Sequence, residues 1–354
     1  MNAGNFNIAG DNQADTGVTA SFTQGNGTTN PTVTVAGGNS EWGHGGTAVI
    51  EINSGTYAQN SNNIVIAQGA SANTTATVNG GSITVHPTGD LNFNRGVGVL
   101  EINGGSVAVG RNINMGNANG SSDAQIDLNA GTLSAGQDLS YRNNGVRDVV
   151  NVNGGEFIVT RNVNLANQSG GGGVDQFNHN GGIFRIRNGG TFNGDYQVGD
   201  DAATPAEFQP GDSPGLVNIT GAFNLNSDAV IHLELGSDGA GGALAGTDYD
   251  KIIAGGAIDL AAGASPSMVS LTSLTSLTDL TQDGSFSFVL LEGASLSGEF
   301  GNLANGSQMS LGGVTVEAEY TGTALNLIVV PEPSAFLLIA LSVTALAMRR
   351  NRRA

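Results

Sequence analysis

Apolar and polar residues alternate one for one through the first half of the chain, in short runs broken by glycine-rich turns. One stretch holds the whole pattern. Leu100-Glu101-Ile102 leads into Asn103-Gly104-Gly105, Ser106-Val107-Ala108-Val109 follows the turn, and Asn112-Ile113-Asn114-Met115 comes third. A period of two predicts strands with one buried face, because successive side chains of a strand point to opposite sides. It assigns Leu100, Ile102, Val107, Val109, Ile113 and Met115 to the interior. An amphipathic helix would repeat its apolar residues every three to four positions, and that spacing does not occur here.

The turn recurs. It appears as Ile52-Asn53-Ser54-Gly55, Val78-Asn79-Gly80-Gly81, Ile102-Asn103-Gly104-Gly105, Leu128-Asn129-Ala130-Gly131 and Val152-Asn153-Gly154-Gly155, with a weaker copy at His179-Asn180-Gly181-Gly182. The asparagines stand 26, 24, 26, 24 and 27 residues apart. Repeats of this length predict a solenoid. Three strands per repeat make it an all-β parallel β-helix, whose coils stack at ~4.8 Å and share backbone hydrogen bonds. Asparagine and glycine suit its corner because both accept left-handed backbone. Asn53, Asn79, Asn103, Asn129 and Asn153 are therefore expected to form a ladder of side-chain hydrogen bonds. An aromatic content of 5% predicts a narrow, aliphatic interior.

Around Gly194 to Gly215 the repeat fades and Pro205, Pro210 and Pro214 cluster. This divides the chain into β-helix repeats over 1–195, a Pro/Gly-rich boundary over 196–215, a β-rich region over 216–330 and a tail over 331–354. Strand-like runs return at 216–220, 229–235, 251–253, 285–291 and 323–330. Leu271, Leu274, Leu277 and Leu280 recur every three residues and fit either a short helix or a loop. Three landmarks stand out: Pro210-Gly211-Asp212-Ser213-Pro214-Gly215, Tyr249-Asp250-Lys251-Ile252 and Gly298-Glu299-Phe300-Gly301-Asn302-Leu303. Residues 205–330 thereby resemble the C-terminal part of autotransporter-like β-helix passengers. A true autotransporter ends in a membrane barrel, for which no residues remain, so export by another route is expected.

Composition narrows the chemistry. Without cysteine there are no disulfides, thiol nucleophiles or thiolate metal sites. The net charge is −18, and four of the twelve basic residues lie at the extreme C-terminus, leaving 8 against 30 ahead of Arg349. Such a surface repels phosphate backbones, which excludes nucleic acid as an expected partner, and it favours divalent cations. Fifty-six glycines suggest disorder, but 39% apolar residues in ordered alternation argue against it.

The tail reads Pro331-Glu332-Pro333, then an apolar run from Ala335 to Met348, then Arg349, Arg350, Arg352 and Arg353. The run predicts a short transmembrane helix over 335–348, below the ~20 residues of a full span. The arginines form a basic stop that holds the C-terminus on the cytoplasmic side. This order resembles the PEP-CTERM sorting signal of Gram-negative bacteria. The resemblance implies export, transient anchoring in the inner membrane, and processing by an exosortase at Pro331, Glu332 and Pro333. Met1 to Thr16 lacks the basic segment, apolar stretch and cleavage site of a secretory leader, so the mature fold is expected to begin upstream of residue 1.

Catalytic signals are sparse. His44 and His179 fall in turns, His86 follows a strand, and His232 alternates with Ile231 and Leu233 so as to face solvent. No pair has metal-ligand spacing, and no Gly-Lys-Ser/Thr is present. Gly170 to Asn178 fits a calcium-binding nonapeptide and makes Asp175 a candidate ligand, although no second copy follows. Glu51, Thr77, Glu101, Asp127 and Asn151 share one outward repeat position. Glu101 and Asp127 should then lie ~5 Å apart, which suits calcium or the carboxylate pair of a retaining glycosidase. Arg111 and Arg161 recur two coils apart and would suit an acidic polysaccharide. Thr56, Ser82, Ser106 and Thr132 form a hydroxyl row of the kind an ice-binding face offers. The pattern points to an exported structural or adhesive protein of the cell surface or extracellular matrix, with extracellular polysaccharide as a candidate partner. The alternatives are a polysaccharide lyase or glycosidase, and an ice-binding surface protein.

Overall fold

Each run predicted in the first half becomes a strand, and each of those strands pairs with its counterpart one repeat away. In the computed structural model, which describes residues 5–9, 17–116, 122–142, 147–165, 174–187, 189–281 and 286–331, three parallel sheets wind into one β-helix. Val97–Ile102 lies between Asn73–Val78 and Asp123–Leu128, with Leu100 opposite Ile126 and Ile102 opposite Leu128. Ser106–Val109 lies likewise between Ser82–Val85 and Thr132–Ala135. Ile113–Met115 lies between Leu91–Phe93 and Leu139–Tyr141. The side chains assigned inward, Leu100, Ile102, Val107, Val109, Ile113 and Met115, are all buried.

The corner after Asn103 shows why glycine is needed. Gly105 has φ +69°, and a Cβ there would stand 2.2 Å from the Gly81 carbonyl oxygen of the coil beneath. The same stacking lets Asn103 N donate to Val78 O at 2.8 Å and Ser106 N to Gly81 O at 3.0 Å. The bonds of the ladder therefore continue around the bend.

The interior departs from the aliphatic expectation. Aromatic residues are few, but among the described residues most sit inside. Phe6, Phe22, Trp42 and Tyr57 pack together in the first coils. Phe157, Phe177, Phe184, Phe192, Tyr196, Phe208 and Phe223 form a second, longer cluster. Within it Phe192 stacks on Tyr196 at 4.5 Å and Tyr196 on Phe223 at 5.7 Å. Composition counts rings without placing them, and here in-register stacking concentrates them down the axis.

The sheets run unbroken through the proline-rich stretch. Gly182–Ile186 pairs with Ala206–Pro210, which pairs with Ala229–Leu235. Tyr196–Val198 pairs with Phe223–Leu225. Parallel pairing continues to Ser287–Glu292 and Ser295–Ser297, and then the chain changes direction. Ala324–Val330 runs antiparallel to Ser287–Glu292, and Val314–Tyr320 and Gln308–Leu311 follow antiparallel. This meander extends the first sheet to fourteen strands, against eleven and ten in the others. It covers the end of the stack with its own apolar face, including Val316, Leu325, Leu327 and Val329. Capping a solenoid end in this way keeps its apolar interior from water.

The leucine run divides between two elements. Leu271 lies in the strand Met268–Ser273, whereas Leu280 lies in a 3-10 helix, Thr278–Thr281. Leu277 and Leu280 are buried, and Leu274 is exposed. The helix expected over 335–348, the basic stop, Glu332 and Pro333 lie outside the described residues. Among the described residues no helix is long and apolar enough to cross a membrane.

Candidate functional site

The outer surface is organised by side chains that repeat from coil to coil. At the first corner Asn79 Nδ2 donates to Asn53 Oδ1 at 2.8 Å, Asn103 to Asn79 at 3.2 Å, Asn129 to Asn103 at 2.9 Å and Asn153 to Asn129 at 3.0 Å. Asn180 adds a rung, donating to Asn153 at 2.9 Å.

A second ladder runs up another corner, and the sequence reading missed it. Here each side-chain oxygen accepts the backbone N–H of the next coil. Asn63 Oδ1 takes Asp90 N at 2.8 Å, Asp90 takes Asn112 N at 3.0 Å, and Asn112 takes Asp138 N at 3.3 Å. Asp138 then takes Asn162 N at 3.1 Å. Arg111 bridges to Asp90 through Nε at 3.0 Å and Nη2 at 2.9 Å. Arg161 does the same to Asp138, at 3.2 and 2.6 Å. Both arginines are thus held by carboxylates of the coil before. An Asn or Asp directly before the first apolar residue of each third run is the available signal, but the two residue types alternate and hide the column.

Glu101 and Asp127 are register partners on the outer face. Asp127 accepts from Asn151 Nδ2 and Gln125 Nε2, both at 2.6 Å. Thr77 Oγ1 donates to Glu101 at 3.5 Å, and Asn178 donates to Asn151 at 2.8 Å. In the hydroxyl row Ser82 Oγ donates to Thr56 at 3.1 Å. The row ends at Glu156, opposite Thr132, which pairs with Arg185 at 3.2 Å.

One histidine differs from expectation. His179 ends a strand rather than occupying a turn, and it is buried in the column of Val152 and Val198. Its Nδ1 meets Tyr196 Oη at 2.9 Å and its Nε2 meets Gly182 O at 3.2 Å. Burial lowers its pKa to about 4. His232 stands in the outward phase of its strand as expected, with Nε2 2.9 Å from Glu207 Oε2 of the neighbouring coil.

Two of the sequence landmarks meet. The turn Pro210–Gly215 lies against Asp250, which accepts Gly215 N at 2.5 Å and Glu234 N at 2.7 Å. Burial pushes the Asp250 carboxyl up to about 7. Beside it Arg185, Gln209, His232, Glu234 and Thr272 line a polar cleft of about 130 Å³.

Asp175 pairs in register with Asp148. Asp148 is fully buried, and burial, reinforced by the charge of Asp175, pushes it up to about 7. Burial also raises Asp175. Alternation signals Asp148, since it shares the inward phase of Val150 and Val152. The glycines at 170–173 of the nonapeptide lie outside the described residues. Among the described residues no three acidic or histidine side chains gather as a metal cluster.

The last strand ends at Val330, paired with Thr315, and Pro331 emerges exposed directly after it. No curated protein matches the chain significantly. The profile of the PEP-CTERM protein-sorting motif matches residues 329–353, so the capped β-solenoid carries the signal of an exported protein sorted to the cell envelope and processed by an exosortase.

Proposed function

We propose that the protein is a rigid structural or adhesive rod of the Gram-negative cell surface or extracellular matrix. In this reading its apolar tail holds it in the inner membrane until the exosortase acts at Pro331-Glu332-Pro333. The observation that carries the reading is the junction: the sorting motif begins at Val329, inside the final strand of the cap. Processing after that strand would leave the rod folded and capped. The polar columns support a structural role, since Glu101 and Asp127 accept hydrogen bonds from their neighbours as the amides of the same column do. Contact with polysaccharide would fall to exposed amides and hydroxyls and to the cleft beside Asp250.

Replacing Pro331-Glu332-Pro333 by alanines should leave membrane insertion intact and block maturation; unchanged maturation would sink the sorting mechanism. Residues 1–330 should co-sediment with matrix polysaccharide and release no reducing ends or unsaturated products. Turnover that is lost in Glu101→Gln or Asp127→Asn would replace the adhesive reading with a polysaccharide-degrading one.

A further inference from the structure

One inward position of the eleven-stranded sheet is held by small side chains coil after coil: Ala48, Thr74, Gly98 and Ala124. In the next two coils it becomes Asp148 and Asp175. Thr74 places its hydroxyl on Trp42 O at 3.0 Å. Asp148 is less well served. The Ala124 backbone amide and Ser122 Oγ, itself buried and 3.5 Å from Oδ1, support the carboxylate, but among the described residues Oδ2 has no hydrogen-bond partner. The charges acting on it are those of Asp175 and Asp123, both of its own sign.

Gly116 marks where oxygens converge. Its φ is +73°, and the point where a Cβ would stand lies 2.5 Å from Asp148 Oδ2, 2.7 Å from Ser122 Oγ and 3.3 Å from Arg142 O. Three oxygens therefore face one space beside a residue that has no side chain. An ion would sit next to that point rather than on it, because the point is a bond length from Gly116 Cα. A buried carboxylate with one oxygen left unpartnered is costly, and a cation held by the same oxygens reduces that cost.

We propose that Asp148 and Asp175, with Ser122 Oγ and the Arg142 carbonyl oxygen, bind a calcium ion. The donors are hard oxygens of three kinds, with neither nitrogen nor sulfur among them. Calcium accepts six to eight such ligands in irregular geometry at about 2.3–2.6 Å, whereas magnesium demands a near-ideal octahedron. Asp175 is half-buried, which leaves a side open to water ligands. The pairing is between successive coils, and it differs from the tandem-nonapeptide arrangement that the glycine run suggests.

The test is calcium titration of the purified, EDTA-stripped protein, followed by calorimetry and thermal unfolding. Saturable one-site binding with a rise in Tm is expected. Asp148→Asn and Asp175→Asn should each weaken affinity at least about tenfold, and Glu101→Gln should not. Asp148→Asn removes an uncompensated buried charge, so without calcium it should fold at least as well as wild type, which separates lost binding from lost structure. Terbium gives a second readout. Its luminescence, excited through Tyr141, whose own ionisation is disfavoured by burial and then by the nearby charges of Asp175 and Asp148, should be displaced by calcium and absent in Asp148→Asn. Absence of a calcium-dependent Tm shift in wild type, or wild-type affinity in both aspartate variants, would overturn the site and leave two carboxyls sharing a proton.

Discussion

The coils from Asn53 to Asn153 and those from Phe157 to Phe223 share three sheets and one axis, yet they are held differently. The first group repeats a corner asparagine on the outside and packs mainly aliphatic side chains within. The second carries the ladder only to Asn180 and fills its interior with stacked rings. A solenoid needs each coil to match its neighbours, and that match can come from polar rungs or from apolar columns. The fading of the repeat near Gly194 therefore coincides with a change of what stacks, while backbone pairing goes on.

The largest test of this contrast is Phe184→Ala. Phe184 contacts Phe157, Phe177, Phe192, Tyr196 and Phe208, and its loss should cost about 3–5 kcal/mol in denaturant unfolding. A loss below about 1 kcal/mol, the scale of one net hydrogen bond, would mean that the rings merely fill space.

Asp250→Ala comes next. It leaves the amides of Gly215 and Glu234 without their acceptor, which should cost about 1–3 kcal/mol. Asp250 also gives a pH signature. Its folded carboxyl keeps a proton up to about 7, whereas the unfolded chain releases it near 3.8, so its contribution is full below that value and declines as pH rises through the window. His179 acts in the opposite sense. The unfolded imidazole takes a proton below 6.5 and the folded one only near 4, so stability is lost as pH falls between them. Comparing wild type with Asp250→Asn from pH 4 to 8 should isolate the first slope; equal slopes would contradict the assignment.

The smallest effects belong to the ladder. Asn103→Ala removes one donated and one accepted side-chain bond at an exposed corner, for about 1 kcal/mol in all. Asn180→Ala, which donates to Asn153, should cost less than Asn103→Ala. The reverse order would show that rungs near the aromatic coils matter more than those amid the aliphatic ones.

Much of this was legible beforehand. Alternation is local, so the inward set from Leu100 to Met115 and the corner at Asn103 could be read from a single repeat. The second ladder escaped because Asn63, Asp90, Asn112 and Asp138 differ in type while sharing a role. Asp148 was visible as a carboxylate in the inward phase. Its consequence was hidden, because that depends on Asp175 standing opposite it and on Ser122 and Arg142 arriving from elsewhere in the coil.

Strands, corner turns and the sorting motif are written locally, since each depends on neighbours within a few residues. Which side chains stand above one another depends on how the coils stack. Coil-to-coil register joins residues more than twenty positions apart, and only that register brought rings, arginine–carboxylate pairs and the Asp148–Asp175 couple into contact.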